Sequence, residues 1–212
     1  MVKILPSLAS ADQLHLEYEI QKVEFLKHLH LDIEDGNFVP NITFGLKTIK
    51  SVCAVLKGVC CDVHLMVTNP MDYVDSLAEI GVDAIAFHWE IVPYPMRVIG
   101  KIHKLGLKAG IALNPRTSVE EIRYYLRMVD YVLLMSSEPD DMGEKFQKIT
   151  LEKIRWIREM DKEIEIIVDG GIHEHNFQDI VLAGASGAVL GRAIFREENA
   201  REFVIRLQEK GK

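Results

Sequence analysis

Short runs of apolar residues alternate with longer amphipathic stretches along the whole chain. The apolar runs are rich in valine, isoleucine and leucine, which is typical of strands buried on both faces. They cover residues 4–5, 29–33, 59–66, 84–87, 109–113, 129–135, 164–168 and 188–190. The pattern therefore predicts eight parallel strands, each followed by a helix.

Several of the intervening stretches carry helix signals. The clearest cover residues 11–25, 118–128, 150–160 and 199–208. Ser118 followed by Glu120 and Glu121 suits a helix N-terminus, where a hydroxyl caps the first turn and acids oppose the helix dipole. The tract His173-Glu174-His175 looks like a metal-binding sequence, but we expect it to begin the seventh helix with its side chains splayed around the axis.

The spacing of the strands selects among α/β architectures. The 212 residues allow about 26 for each strand–helix unit, and no linker or break in composition marks a second domain. A doubly wound sheet of eight strands would also fit this pattern. We favour an α/β fold with a single (β/α)8 TIM barrel over residues 1–212, because the smallest such barrels have about this length.

Composition and charge then narrow the possible functions. The net charge of −7 argues against nucleic acid and anionic membranes as partners, although a local site can still bind a small anion. No apolar run is long enough to span a membrane, and no secretion signal is recognisable. With three cysteines and no C-x-x-C pair, the sequence predicts a cytoplasmic protein without disulfides.

A barrel places its functional residues at the carboxyl ends of its strands. Polar side chains do follow the apolar runs at these positions: Ser7, Asp32, Glu34, His64, His88, Glu90, Asn114, Ser136, Asp169 and Arg192. This distribution predicts a functional site at the carboxyl ends of the strands.

Four residues near these strand ends could bind a metal. His30 and Asp32 share one face of the second strand, and His64 and Asp169 end the third and seventh. Each has a simpler interpretation, such as a buried ion pair, a core histidine or a turn cap. Together they form a mixed nitrogen and oxygen set that suits zinc, iron(II), cobalt or manganese.

Two glycine-containing turns could bind a phosphate. Gly170-Gly171 and Gly191-Arg192 follow strands seven and eight, where barrel loops often bind phosphate through backbone N–H groups. Arg192 adds a cation there, although it could equally be a surface arginine at the rim.

Longer motifs reveal a family resemblance. They are Pro6-Ser7-Leu8, the segment from His30-Leu31-Asp32 to Val39-Pro40-Asn41, Asp62-Val63-His64-Leu65-Met66-Val67, His88-Trp89-Glu90, Asn114-Pro115-Arg116-Thr117 and Val168-Asp169-Gly170-Gly171-Ile172. In type and order they resemble the motifs of the ribulose-phosphate 3-epimerase family from one end of the chain to the other.

The resemblance implies a function and a set of site residues. The expected activity is inversion of carbon 3 of a ketose phosphate, D-ribulose 5-phosphate or a related pentulose or hexulose phosphate, through a metal-stabilised enediolate. One divalent ion, with zinc favoured, would be held by His30, Asp32, His64 and Asp169, and Asp32 and Asp169 would be the acid and base. Substrate contacts are expected at Ser7, His64, Gly143, Gly170, Gly171, Gly191 and Arg192. A homo-oligomer, a dimer or larger, is also implied.

The chain departs from the family pattern at three places. Glu34 replaces a methionine, Arg192 replaces a serine, and the sixth loop, 139–144, loses two glycines and gains Asp140 and Asp141. We hypothesise that Arg192 binds the anionic end of the substrate or pairs with Glu34 or the loop acids. These departures put the usual pentulose phosphate substrate in doubt.

Three alternatives compete with this interpretation. The related barrel decarboxylases carry a D-x-K-x-x-D strand, and the third strand here lacks that lysine. A catalytically retired family member could bind a sugar phosphate as a sensor. A metal-free structural barrel is the third alternative.

Overall fold

The computed structural model describes residues 2–56, 58–139 and 145–211. One sheet contains eight parallel strands, which confirms the predicted (β/α)8 TIM barrel. The strands are β1 (Lys3–Pro6), β2 (His28–Glu34), β3 (Cys60–Met66), β4 (Ala84–His88), β5 (Lys108–Leu113), β6 (Tyr131–Met135), β7 (Glu165–Asp169) and β8 (Gly187–Leu190). Each predicted apolar run therefore became a strand.

The strands follow one another in sequence order around the barrel. Neighbours pair from β2 through to β8, and β1 pairs with β8. A parallel bridge between Ser7 and His30 joins the ends of β1 and β2, so the sheet is nearly closed. Closure brings the carboxyl ends of all the strands to one mouth.

Helices cover the outside of the sheet. They are α1 (Leu16–Val23), α2 (Leu46–Val55), α3 (Met71–Ile80), α4 (Pro95–Lys104), α5 (Ile149–Met160), α6 (Phe177–Ala183), α7 (Arg192–Phe195) and α8 (Ala200–Lys210). Short 3₁₀ helices occupy Leu8–Ser10, Glu24–Leu26, Trp89–Ile91 and Val119–Tyr125. No helix in the described part of the chain is long and apolar enough to cross a membrane.

The structure corrects two of the helix predictions. The stretch 118–128 contains a 3₁₀ helix, Val119–Tyr125, rather than an α-helix, and its buried Val119 and Ile122 are three residues apart, the repeat of a 3₁₀ helix. Ser118 caps it as expected, accepting a hydrogen bond from the Glu120 backbone N–H at 3.2 Å.

The histidine tract before α6 is the second correction. His173 and His175 lie in the turn before α6, which begins at Phe177, and their rings stack at 5.6 Å rather than splaying apart. Asn176 holds this turn: its Oδ1 accepts from the His173 N–H and its Nδ2 donates to the Gly171 carbonyl. The side-chain amide of Asn176 thus satisfies backbone groups before the helix can begin.

The protein contains two layers of apolar packing. A large cluster between the sheet and the helices contains the outward-facing side chains of the strands. A smaller cluster fills part of the barrel interior: Leu5, Ala84, Ala86, Ala112, Tyr131, Leu133, Met135, Ile167 and Val189. No residue of β2 or β3 belongs to this interior cluster, because their inward positions are largely polar.

Candidate metal and active site

The pairing of β2 with β3 creates the site. The sequence H-x-D on β2 lies beside D-x-H on β3, and the parallel register sets His30 against Asp62 and Asp32 against His64. Because alternate residues share a face of a strand, all four side chains point into the barrel. Each histidine therefore lies next to a carboxylate on the neighbouring strand.

Asp169, at the end of β7, completes a compact cluster. His30 Nε2 lies 3.2 Å from Asp32 Oδ1 and 3.6 Å from Asp169 Oδ2, while His64 Nδ1 lies 3.1 Å and 3.5 Å from the same two oxygens. One nitrogen or oxygen atom from each of the four residues falls within 4.8 Å of all the others. The structure thus brings together the four residues predicted to bind metal.

The donor set fits a divalent ion. His30 Nε2 is buried and has no hydrogen-bond partner among the described residues, which is costly for a polar atom shielded from water. Two imidazole nitrogens and two carboxylate oxygens in this arrangement are ligand types that borderline divalent cations accept. His30, Asp32, His64 and Asp169 could therefore hold a metal ion.

Charge within the cluster shifts the pKa of every member. Burial disfavours each charged form, but neighbours of opposite charge outweigh it, so the pKa of His30 rises well above its usual value and that of His64 also rises. The same pairs lower the pKa of Asp32 and of Asp169. The negative field that raises the pKa of the two imidazoles would equally attract a cation, which would compete with protons for the same nitrogens.

A cavity of about 420 Å³ lies over the cluster at the mouth of the barrel. Asp32 and Asp169 line it, whereas His30 and His64 lie fully buried beneath. Ser7, predicted to contact substrate, also lines the cavity and donates its hydroxyl to Asp32 Oδ2 at 2.6 Å. The two carboxylates therefore face the cavity, whereas His64, which was also predicted to contact substrate, does not line it.

The predicted phosphate turns line the same cavity. Gly170 and Gly171 have φ angles of 103° and 60°, a region that favours glycine. A Cβ on Gly170 would collide with the side chain of Ser137, and one on Gly191 would collide with Ser10. Glycine is thus required at both turns for the loops to approach this closely.

One end of the cavity is cationic. Arg192 and Arg196 line it together with His173. Among the described residues Arg192 forms no ion pair, so the structure does not show the hypothesised contact with Glu34, although Glu34 lines the same cavity. Gly143, Asp140 and Asp141, named in the sequence predictions, lie outside the described residues.

Asp62 is a site residue that the sequence pattern did not reveal. Its carboxylate accepts from His30 Nδ1 at 2.5 Å and from His28 Nε2 at 2.7 Å, and its side chain is buried. The alternation that placed His64 in the interior also places Asp62 there, but only the strand register reveals its partner.

His88 and Glu90 form a second contact behind the cluster. His88 Nε2 lies 2.9 Å from His64 Nε2, and His88 Nδ1 lies 3.0 Å from Glu90 Oε2. Burial, opposed by Glu90, lowers the pKa of His88 to about 4. Hydrogen bonds led by that from His88 outweigh burial and lower the pKa of Glu90 to about 2. The H-x-E spacing at the end of β4 was the available sequence signal.

Comparison with known proteins identifies the family. The model of the ribulose-phosphate 3 epimerase family matches residues 3–195. The ribulose-phosphate 3-epimerase of Helicobacter pylori is 37% identical over 211 residues, covering 98% of this chain and 97% of that protein. The protein of the same name from Methanocaldococcus jannaschii is 40% identical over 215 residues, covering 99% of this chain and 91% of that protein.

Solved structures share the fold at lower identity. A mutant tryptophan synthase alpha-subunit from Pyrococcus furiosus has a TM-score of 0.70 at 15% identity, covering 99% of this chain and 98% of that one. Orotidine 5'-phosphate decarboxylase from Pyrococcus horikoshii has a TM-score of 0.65 at 17% identity, covering 98% of each. Such likenesses show the barrel architecture alone. The sequence matches decide the family: the chain belongs to the ribulose-phosphate 3-epimerase family of carbohydrate epimerases.

Proposed function

We propose that the protein inverts carbon 3 of a ketose phosphate, D-ribulose 5-phosphate or a related pentulose or hexulose phosphate. The observation that carries this proposal is the placement of two carboxylates, Asp32 and Asp169, on the wall of one cavity above two buried histidines. Epimerisation beside a ketone requires removal of a proton from one face of carbon 3 and delivery of a proton to the other.

The two carboxylates divide this work. One of Asp32 and Asp169 takes the proton from carbon 3, and the electrons of the broken C–H bond form the enediolate with the neighbouring ketone. The other then donates a proton to the opposite face, which restores the ketone with inverted configuration. Each acid or base contribution of this kind is typically about 10²–10⁴-fold in rate. The roles exchange in the reverse reaction.

His30, Asp32, His64 and Asp169 would hold the metal, with zinc favoured and iron(II), cobalt or manganese also suited to the donor set. The chemistry that a divalent ion supplies there is Lewis-acid polarisation of the substrate ketone. Ser7 supports the site by donating to Asp32 Oδ2, which leaves Asp32 Oδ1 directed at the two histidines.

The glycine turns and Arg192 would bind the phosphate. Gly170, Gly171 and Gly191 keep the backbone open to the cavity, and Arg192 lies at the same end without an ion-pair partner among the described residues. A guanidinium group can bind phosphate oxygens through two parallel hydrogen bonds. Gly143 of the sixth loop remains a predicted contact.

A retired enzyme that senses a sugar phosphate is the second candidate. Glu34 favours it, because a third carboxylate on the cavity wall adds negative charge where an anionic sugar would bind. The intact cluster of His30, Asp32, His64 and Asp169 favours catalysis.

Isotope exchange separates the two candidates. The metal-loaded protein is incubated in deuterated water with a panel of pentulose and hexulose phosphates, and NMR reports deuterium at carbon 3. An epimerase incorporates deuterium into at least one sugar and forms its C3 epimer. Absence of exchange across the panel, with a sugar phosphate shown to bind, would establish the sensor instead.

A further inference from the structure

Behind the proposed metal site lies a layer of hydrogen bonds that reaches each histidine from the side away from the cluster. His30 is contacted through Nδ1 by Asp62, and His64 through Nε2 by His88, which in turn contacts Glu90. We propose that Asp62 and Glu90 are positioning residues that set the tautomers of His30 and His64, so that each presents a lone pair to the metal. This inference rests on the metal site of the proposed function.

The His30 side of this layer has only one consistent arrangement of hydrogens. An ionised carboxylate only accepts hydrogen bonds, so the contact of 2.5 Å between Asp62 and His30 Nδ1 requires a hydrogen on Nδ1. In neutral His30 the other nitrogen, Nε2, then carries the lone pair. This Nε2 atom is buried, finds no hydrogen-bond partner in the described part of the chain, and faces Asp32 and Asp169.

Asp62 is itself held in place. Its other oxygen accepts from His28 Nε2 at 2.7 Å, and its side chain is only 3% exposed. The carboxylate therefore cannot rotate away from His30 without also losing its contact with His28. Outer carboxylates of this kind typically contribute about 10–100-fold to metal affinity.

Glu90 sets the tautomer of His64 indirectly, through His88. Glu90 Oε2 accepts from His88 Nδ1, so neutral His88 has its lone pair on Nε2. Only one hydrogen can lie between the Nε2 atoms of His88 and His64, which are 2.9 Å apart, and it must then belong to His64. His64 Nδ1 is left with the lone pair, and it is Nδ1 that faces Asp32 and Asp169.

The second oxygen of Glu90 makes the carboxylate difficult to replace. Oε1 accepts from the Asn114 backbone N–H at 2.7 Å and from the Thr117 hydroxyl. Both oxygens of Glu90 are therefore acceptors. A glutamine must turn its NH₂ group towards one of these donors, and turning it towards His88 reverses every hydrogen in the chain and blocks His64 Nδ1.

The test measures metal binding rather than turnover. Cobalt(II) is titrated into the metal-stripped wild type, Asp62→Asn and Glu90→Gln in competition with a chelator, and its visible absorption spectrum is recorded. We expect Asp62→Asn to bind cobalt about 10–100-fold more weakly and Glu90→Gln to bind it more weakly with an altered spectrum. Wild-type affinity and spectrum in both variants would overturn the inference.

Two control variants test whether Asp62 and Glu90 position the histidines or only support the surrounding structure. Asp130→Asn alters an exposed carboxylate that contacts His103 at 2.8 Å away from the cluster, and it should bind cobalt as the wild type does. Thr117→Val removes a partner of Glu90 without touching His88, and it should also leave the spectrum unchanged. A Thr117→Val spectrum equal to that of Glu90→Gln would show that Glu90 only supports the loop, against the inference.

The melting temperatures of the metal-free proteins show whether each variant remains folded. A positioning role leaves the metal-free variants folded at the assay temperature while cobalt affinity falls. A wild type that binds no cobalt would contradict the metal site itself, and the inference with it. Normal wild-type binding with unchanged variants would contradict the inference alone.

Discussion

One half of the barrel interior is held by polar, directional contacts, and the other is held by apolar packing. The polar half consists of the inward side chains of β2 and β3 together with Asp169 at the end of β7. It includes His30, Asp32, Asp62 and His64, all buried. The apolar half consists of Leu5, Ala112, Leu133, Ile167 and Val189, which pack by volume alone. In the polar half the buried side chains depend on directional contacts with one another, so a small change there leaves a buried group unsatisfied.

This difference separates function from stability. Apolar side chains contribute in proportion to the area and volume they fill, without directing any reactive atom. The polar side chains contribute little net stability for the cost of their burial, but they hold charge at a fixed place. We therefore expect substitutions in the polar half to change chemistry first, and substitutions in the apolar half to change folding first.

The largest expected effect is loss of the two cavity carboxylates. Asp32→Asn and Asp169→Asn keep the side-chain shape but remove the acid or base, so kcat should fall by about 10²–10⁴-fold or more for each. Deuterium incorporation at carbon 3 measures the loss directly. Asp130→Asn, far from the cavity, is the matched control and should retain full exchange. Either cavity variant working at near wild-type rate would remove that carboxylate from the proposed chemistry.

The apolar half should give the converse result. Leu133 is fully buried in the barrel interior, and Leu133→Ala should lower the free energy of unfolding by about 2–5 kcal/mol. Denaturant titration measures this change, and kcat per folded molecule should stay within about twofold of the wild type. Leu182→Ala, at a leucine that is 75% exposed, is the matched control. A folded Leu133→Ala protein with strongly reduced kcat would break the division between the two halves.

The two halves also differ in how much the sequence could predict. Apolar runs predicted every strand, and alternation placed His30 and Asp32 on one face of the second strand. The partnership of Asp62 with His30 depends on the stagger between β2 and β3, which is a tertiary property that no local pattern encodes. The contacts that connect His64 to Glu90 through His88 similarly depend on how β3, β4 and the loop after β4 are placed, which the sequence alone does not reveal.

The prediction of an α-helix over residues 118–128 failed because its start signal is not specific to α-helices. The capping pattern at Ser118 serves a 3₁₀ helix as well as an α-helix, because both begin with unpaired N–H groups. Arg196 was missed because its place on the cavity wall depends on where the short helix α7 (Arg192–Phe195) lies over the mouth.

A smaller effect is expected at the cationic end of the cavity, which belongs to neither half. Arg192→Ala should raise KM for a phosphorylated ketose about tenfold, or about 1.4 kcal/mol, and leave kcat unchanged, because Arg192 would bind the phosphate away from carbon 3. Steady-state kinetics measures both constants. Arg206→Ala, at an arginine that pairs with Glu197 on the surface, is the matched control. An unchanged KM for Arg192→Ala would exclude this role.

The smallest expected effect concerns Asp35, a carboxylate just beyond the polar half with no charged partner among the residues that the structure describes. It accepts from the backbone N–H groups of Asn37, Phe38 and Thr68 at 2.7–2.9 Å and from the Thr68 hydroxyl at 2.8 Å. These bonds, led by that from the Thr68 backbone, outweigh burial and lower the pKa of Asp35 to about 2.

Because the folded pKa of Asp35 lies below the unfolded value, its contribution is present above about pH 4 and is lost as the pH falls towards 2. Asp35→Asn should therefore lower the free energy of unfolding by about 1 kcal/mol at pH 7, a small figure because Asp35 is only half-buried and water screens its charge. Urea titrations of both proteins between pH 3 and pH 7 measure the difference, which should shrink as the pH falls. A difference that stays constant over this range would mean that ionisation of Asp35 does not contribute to the stability of the fold.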